Sequence, residues 1–224
     1  MQAHDPFADA RARMVDRQLR ARRITDEGVL EVMGTVPREA FLTDDLARVP
    51  EEAYRDSAQP VGRGQTLSQP YMVARMTEAL EPSAGDRVLE IGTGTGYQTA
   101  VLAHLCREVW SVERDPVLAE EAEQRLRELG LENVRLRVGD GSLGWPEGAP
   151  YDAILVTAGA PDVPEALTDQ LADGGRLVIP VGPRHGQTLL RVVRTGDRLE
   201  SESLLECRFV PLVGEEGWTD DPTA

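Results

Sequence analysis

Apolar positions keep a helical rhythm through the first third of the chain and then change period. Over residues 8–22, Met14 and Leu19 with Val15 beside them form the apolar side of a charged stretch, which predicts a helix. Val29, Leu30 and Met33 repeat the spacing, and Thr25 or Asp26 stands where a cap for that second helix belongs. Residues 50–69 show no period and read as one long connection containing Gly62 and Gly64; loops of that length in compact domains are usually functional or disordered. Pro70 suits a first helical position, and Val73, Met76 and Leu80 continue that helix until Pro82 stops it.

From residue 87, short apolar runs alternate with helical stretches. The pattern predicts strands at 88–91, 109–113, 134–138, 151–157 and 176–181, and helices at 97–106, 116–129 and 164–171. Gly130 ends the second of these helices, and Gly174-Gly175 turns into the last of these strands. This alternation predicts an α/β doubly wound fold, a parallel sheet with helices on both faces. The style shifts once more at the end. Residues 188–194 and 200–212 are strand-like around Thr195-Gly196-Asp197 and predict an antiparallel pair on the sheet edge. The last residues, 219–224, are expected to be disordered.

Composition removes many alternatives. Apolar residues make up 41% of the 224, enough for a core, and no apolar run reaches the roughly 18 residues a membrane helix needs. Residues 1–9 lack the basic-then-apolar order of a secretory signal. The net charge of −15 disfavours nucleic acid and anionic membranes as partners, although Arg11, Arg13, Arg17, Arg20, Arg22 and Arg23 form one local basic group. All 24 basic residues are arginine. That excludes Schiff-base chemistry, lysine-anchored pyridoxal phosphate and a Walker loop. Cys106 and Cys207 are too few for a disulfide framework or a structural zinc site, and His4, His104 and His185 lack ligand spacing. No metal is expected, and a reducing cytoplasm fits best.

Three motifs point to a cofactor. Glu90-Ile-Gly92-Thr-Gly94-Thr-Gly96-Tyr97 lies between a predicted strand and helix, where glycines let the backbone turn and a ligand approach. A dinucleotide fingerprint would carry its third glycine at position 97, which is Tyr97 here. A nucleoside without phosphates suits the loop, and S-adenosylmethionine is the obvious candidate. Glu113 stands about 20 residues past Gly92, where an acid can meet ribose hydroxyls. Gly139-Asp140-Gly141 follows the third strand, where a carboxylate or amide can bond an adenine edge. A fourth segment, Gly64-Gln-Thr-Leu-Ser-Gln-Pro70, has no catalytic base or triad partner nearby. By itself Ser68 reads as a helix cap.

Taken together, the segments resemble those of the protein-L-isoaspartate O-methyltransferases over almost the whole chain. The resemblance rests on Met14-Val-Asp-Arg-Gln-Leu-Arg20, Val36-Pro-Arg-Glu-Ala-Phe41, Gly64-Gln-Thr-Leu-Ser-Gln-Pro70 and Val88-Leu-Glu-Ile-Gly-Thr-Gly-Thr-Gly-Tyr-Gln98. Gly139-Asp-Gly141, Ala149-Pro-Tyr-Asp152, Pro180-Val-Gly182 and Phe209-Val-Pro-Leu212 add to it. It implies a mostly parallel, seven-stranded class I methyltransferase sheet (83–218) behind a helical extension with a substrate loop (1–82). It implies a cytoplasmic monomer that moves the methyl of S-adenosylmethionine to the free α-carboxylate of L-isoaspartyl residues in damaged proteins and peptides, with D-aspartyl residues as an open extension of the substrate class. The product cofactor would be S-adenosylhomocysteine. Carried over residue by residue, Ser68 is the active-site serine, and Gln65, Thr66, Leu67, Phe209, Val210, Pro211 and Leu212 join it in holding substrate. Glu90, Gly92, Thr93, Gly94, Gly96, Gln98, Glu113, Arg114, Asp140 and Gly141 are the implied cofactor contacts.

The chemistry agrees with what is missing. A carboxylate of pKa around 4 is already ionised near neutrality, and a thioether leaves without protonation, so neither a general base nor a general acid is required. Three other readings share these residues: a dedicated aspartate methyltransferase forming an aspartimide in one peptide, a sensor that binds S-adenosylmethionine without chemistry, and a nicotinamide dehydrogenase. Tyr97 disfavours the last, and the intact 65–70 segment disfavours the sensor.

Overall fold

The computed structural model describes residues 5–219; of the expected disordered tail, only Thr219 falls within them. Helix α1 (Pro6–Met14) is capped by the Asp5 carboxylate and runs on through a π-helical turn (Val15–Leu19) and a 3-10 turn (Arg20–Arg22). Asp26 caps α2 (Glu27–Met33), accepting a hydrogen bond from the Val29 amide, so of the two cap candidates the aspartate is used. A 3-10 turn (Arg38–Phe41) and two short helices follow, α3 (Asp44–Ala47) and α4 (Pro50–Ala53). Next comes a hairpin of β1 (Gln59–Gly62) and β2 (Gln65–Leu67), then α5 (Pro70–Leu80). The expected long connection therefore holds a helical turn and a hairpin. Its strands of four and three residues are too short to show a period.

The sheet begins at β3 (Arg87–Ile91) and alternates through α6 (Tyr97–Leu105), β4 (Glu108–Glu113), α7 (Pro116–Glu128), β5 (Val134–Val138) and β6 (Tyr151–Val156). Helix α8 (Glu165–Asp169) leads to β7 (Leu171–Val181), and β8 (Gln187–Thr195) and β9 (Arg198–Cys207) complete it. The seven strands lie in the order β5-β4-β3-β6-β7-β8-β9. β3 to β7 pair in parallel, and β8 and β9 add the predicted antiparallel edge. The chain winds outward from β3 in one direction and from β6 in the other. Ligands bind at the carboxyl ends of strands where such a switch opens a crevice.

Two expectations change. Strand β7 begins at Leu171 and passes through both glycines. Its pairing with β6 jumps from Tyr151↔Leu171 to Ala153↔Arg176, and Gly174, at φ +76°, takes up the extra residues. Strand β9 ends at Cys207, so Phe209 to Leu212 are not its continuation. The extension and the sheet share one core: Met14, Leu19, Met33 and Phe41 pack in the same cluster as Tyr97, Ala100, Val101 and Leu126. Tyr97 is central to that seam. Its ring meets Phe41 edge-on at 5.5 Å, and its hydroxyl donates to Met33 Sδ at 3.7 Å.

Candidate active site

At the carboxyl ends of β3, β4 and β6 lies a cavity of about 330 Å³. Its floor is the loop from β3 to α6, where Gly92, Gly94 and Gly96 all have positive φ. Two close approaches need glycine. A Cβ on Gly92 would come 2.4 Å from Thr157 Oγ1, and one on Gly141 would come 2.5 Å from Ile91 Cγ2. Gly94 faces open space.

Glu113 ends β4 and is nearly buried. One carboxylate oxygen accepts the Gly94 amide at 2.8 Å, and the other accepts the Asp115 amide at 3.0 Å. Each oxygen keeps further acceptor capacity towards the cavity it lines. Thr95 Oγ1, in the same loop, is buried without a hydrogen-bond partner. Thr93 and Gln98 line the cavity and are held from behind, Thr93 by Ser111 at 2.6 Å and Gln98 by Thr77 at 3.0 Å. Arg114 also lines it. Open glycine space, an acid with acceptor capacity and an orphan hydroxyl fit a nucleoside with an amino-acid tail.

The opposite wall is the hairpin and the strand-to-helix turn after it. Gln65, Thr66, Leu67 and Ser68 line the cavity, with Arg63 at the hairpin tip tied to Asp115 at 2.5 Å. The cap position of α5 is Gln69, with no side-chain cap hydrogen bond, so Ser68 does not serve the helix as a cap. Its carbonyl accepts from Arg38 Nη2 at 2.9 Å. Val210, Pro211 and Leu212 close the third side. The Gly159 amide donates to the Val210 carbonyl and the Leu212 amide to the Gly159 carbonyl, both at 2.8 Å. One edge of that segment is thus paired within the protein. Pro211 offers the other edge a carbonyl but no N–H.

Four implied contacts lie outside the lining. Glu90 is wholly buried behind the loop, where its Oε2 accepts from Thr99 and Ser111, each at 2.6 Å, and its Oε1 has no partner. Burial pushes its pKa up to about 8 against the pull of those two hydroxyls. It shapes the loop through Ser111 and Thr93 and does not line the cavity. Gly96 caps α6 and packs on Ala122 and Leu126 of α7. Asp140 accepts from the Ser142 amide and hydroxyl on one oxygen and from the Glu215 amide on the other, so its carboxylate holds the turn and the C-terminal segment together. Phe209 packs against the cluster beneath α5, and its amide donates to Gln187 Oε1 at 2.9 Å. Several lining residues carry no motif of their own, among them Val73, Met76, Val112, Thr157 and Ala158. Val73, Met76 and Val112 were legible as apolar positions of a helix and a strand, but nothing local marked any of the five as a cavity wall.

This sheet order, with a glycine loop after its first strand and an acid after its second, defines the class I S-adenosylmethionine-dependent methyltransferases. The family model described as protein-L-isoaspartate(D-aspartate) O-methyltransferase matches residues 10–217, and the chain belongs to that family. A protein-L-isoaspartate O-methyltransferase of Trichlorobacter lovleyi is 55% identical over 213 residues, 95% of this chain and 97% of that one. A solved protein-L-isoaspartate O-methyltransferase superposes with a TM-score of 0.84 at 33% identity, covering 92% of this chain and 67% of that one. A Plasmodium falciparum structure holding S-adenosyl-L-homocysteine shares the fold at a TM-score of 0.76 and 24% identity, covering 91% of this chain and 98% of that one.

Proposed function

We infer that this chain transfers the methyl group of S-adenosylmethionine to the free α-carboxylate of isoaspartyl residues in proteins and peptides, the first step of their repair. One observation carries the reading: Ser68, the glycine loop and Val210 to Leu212 face one another across a single cavity. When bound, the cofactor supplies an electrophilic methyl on a sulfonium.

The residues supply placement. The glycine loop and Glu113 hold the nucleoside, and Thr95 takes its amino-acid tail. Ser68 donates its hydroxyl to one carboxylate oxygen and leaves the other free to attack in line. Such positioning is worth up to about 7–11 kcal/mol. A hydroxyl suits the role because it orients the nucleophile without pairing its charge. Gln65 to Leu67 and the free carbonyl of Pro211 hold the peptide through its main chain, which tolerates varied side chains. Both cysteines are free, which supports a reducing compartment.

The test is methyl transfer to paired peptides that differ only in isoaspartate against aspartate. Transfer to the isoaspartyl peptide alone is the expected result. No transfer to it, with transfer to a dedicated aspartyl peptide, would replace this reading with the aspartimide-forming one.

A further inference from the structure

The segment Val36-Pro-Arg-Glu-Ala-Phe41 has no part in the reading above, yet it holds an unusual group. Arg38 opens a 3-10 turn and is 0% exposed. Its Nε donates to the Ala53 carbonyl at 3.0 Å and its Nη2 to the Ser68 carbonyl at 2.9 Å. The guanidinium carbon lies 5.1 Å from the centre of the Tyr97 ring. Nη1 is buried and has no hydrogen-bond partner. The two carbonyls it bonds are neutral, and among the described residues no carboxylate forms an ion pair with it; Tyr54 and Tyr97 beside it are phenols, uncharged near neutral pH, and Asp56 is the carboxylate whose charge reaches it. Ser68 and Tyr97 are both cavity walls.

Burying a guanidinium among neutral partners is costly, because carbonyl dipoles replace only part of the lost hydration. A cost of this kind is relieved when an anion arrives nearby. Here the arriving anion is the methyl acceptor, whose carboxylate must sit at the other side of the Ser68 peptide unit. We propose that Arg38 is a positioning residue for the acceptor: it fixes the main chain at Ser68, and its charge, acting across that carbonyl, draws the α-carboxylate into the cavity. The proposal rests on the assignment of the cavity as the transfer site. Arg38 stays out of contact with the carboxylate. Its effect therefore belongs to binding of the ionised acceptor, not to binding of the nucleoside.

The test compares the wild-type chain with Arg38→Met and Arg38→Lys. Each is checked for folding by circular dichroism and for S-adenosylhomocysteine affinity by calorimetry. Steady-state kinetics then use an isoaspartyl peptide, with the same peptide carrying an α-amide as a neutral competitive inhibitor. Wild-type turnover of the isoaspartyl peptide establishes the transfer itself, and its absence would sink the site assignment, not this proposal alone. With turnover in hand, Arg38→Met, which loses both the charge and the fork, is expected to lower kcat, to raise KM about tenfold and to erase the preference for carboxylate over amide, with nucleoside affinity unchanged. Arg38→Lys keeps the charge and the preference but lowers kcat, since one ammonium cannot replace the planar fork that spans two carbonyls. An unchanged carboxylate-to-amide ratio in Arg38→Met, or a parallel loss of nucleoside affinity, would overturn the proposal. If Arg38→Met does not fold, wild-type kinetics in Arg38→Lys would overturn it equally.

Discussion

Replacing Gly92 by alanine tests whether the loop geometry is obligatory. The residue sits at φ +94°, where an L side chain costs about 1–2 kcal/mol. The new Cβ would lie 2.4 Å from Thr157 Oγ1. That hydroxyl is wedged between the carbonyls of Ile91 at 2.9 Å and Gly92 at 2.6 Å, so turning away forfeits a hydrogen bond worth about 1 kcal/mol. Together the two effects destabilise the fold by about 2–3 kcal/mol, which in a domain of this size lowers Tm by roughly 4–12 °C. Thermal and urea unfolding of the purified chain measure the loss, and calorimetry with S-adenosylhomocysteine measures the accompanying loss of affinity. The double variant with Thr157→Ala separates the two causes. It removes the collision and keeps the backbone strain, so its destabilisation falls short of the summed single variants by about 1 kcal/mol. A Gly92→Ala chain as stable as wild type, or strict additivity in the double variant, would refute the account of the loop.

Three further outcomes follow from the same geometry. Ser68→Ala lowers kcat on an isoaspartyl peptide while calorimetric affinity for S-adenosylhomocysteine stays within about twofold of wild type, since the hydrogen bond lost is one to the substrate carboxylate and not to the nucleoside; equal loss of nucleoside affinity would rule out the assigned role. Glu113→Gln keeps the side chain's size but trades an acceptor oxygen for a donor facing the Gly94 or Asp115 amide, so nucleoside affinity falls by about tenfold or more; unchanged calorimetry would exclude the ribose assignment. Glu90 binds its proton more tightly in the native chain than in the unfolded one, whose pKa is 4.5, so its contribution to stability is full at low pH and declines as pH rises from about 4.5 to about 8, by at most about 1.4 kcal/mol per pH unit. Urea unfolding across that range should show the decline in wild type and its loss in Glu90→Gln, and identical slopes would contradict it.

The alternation from residue 87 onward was readable because β3 to β6 are short runs of five or six residues, and Gly92, Glu113 and Gly139 mark the ends of the first three; β5 spans the very residues 134–138 expected of it. Asp26 and Pro70 marked helix starts through local hydrogen bonding and ring geometry, which depend on few neighbours. What stayed hidden depends on partners far along the chain. The hairpin at 59–67 is the exception, being local: its strands have too few residues for a period, and a register shift between Pro60 and Gly62 breaks what alternation there is. Gly174-Gly175 reads locally as a turn, and only the register with β6 makes it a bulge within β7. Asp140 was read as a ligand contact because it follows a strand; that its second oxygen also accepts from the Glu215 amide, 75 residues on, had no local signal. Arg38 is the extreme case. One arginine in a six-residue segment carries no signal of burial, because Ala53, Ser68 and Tyr97 build its enclosure.

The charge balance of the reaction explains how these groups are distributed. Transfer from a cation to an anion yields two neutral products, so a polar, strongly hydrated site would stabilise the reactants more than the transition state. The cavity accordingly carries a large aliphatic share of its lining, with Leu67, Val73, Met76, Ile91, Val112 and Leu212 in its walls. A cation touching the carboxylate would hold it in the ground state and oppose attack. A hydroxyl at Ser68 would direct the oxygen without that penalty, and a guanidinium set back behind the Ser68 carbonyl would attract the anion from a distance. The arrangement therefore assigns recruitment and aim to different residues: loss of Arg38's charge should appear in KM, and loss of the Ser68 hydroxyl in kcat.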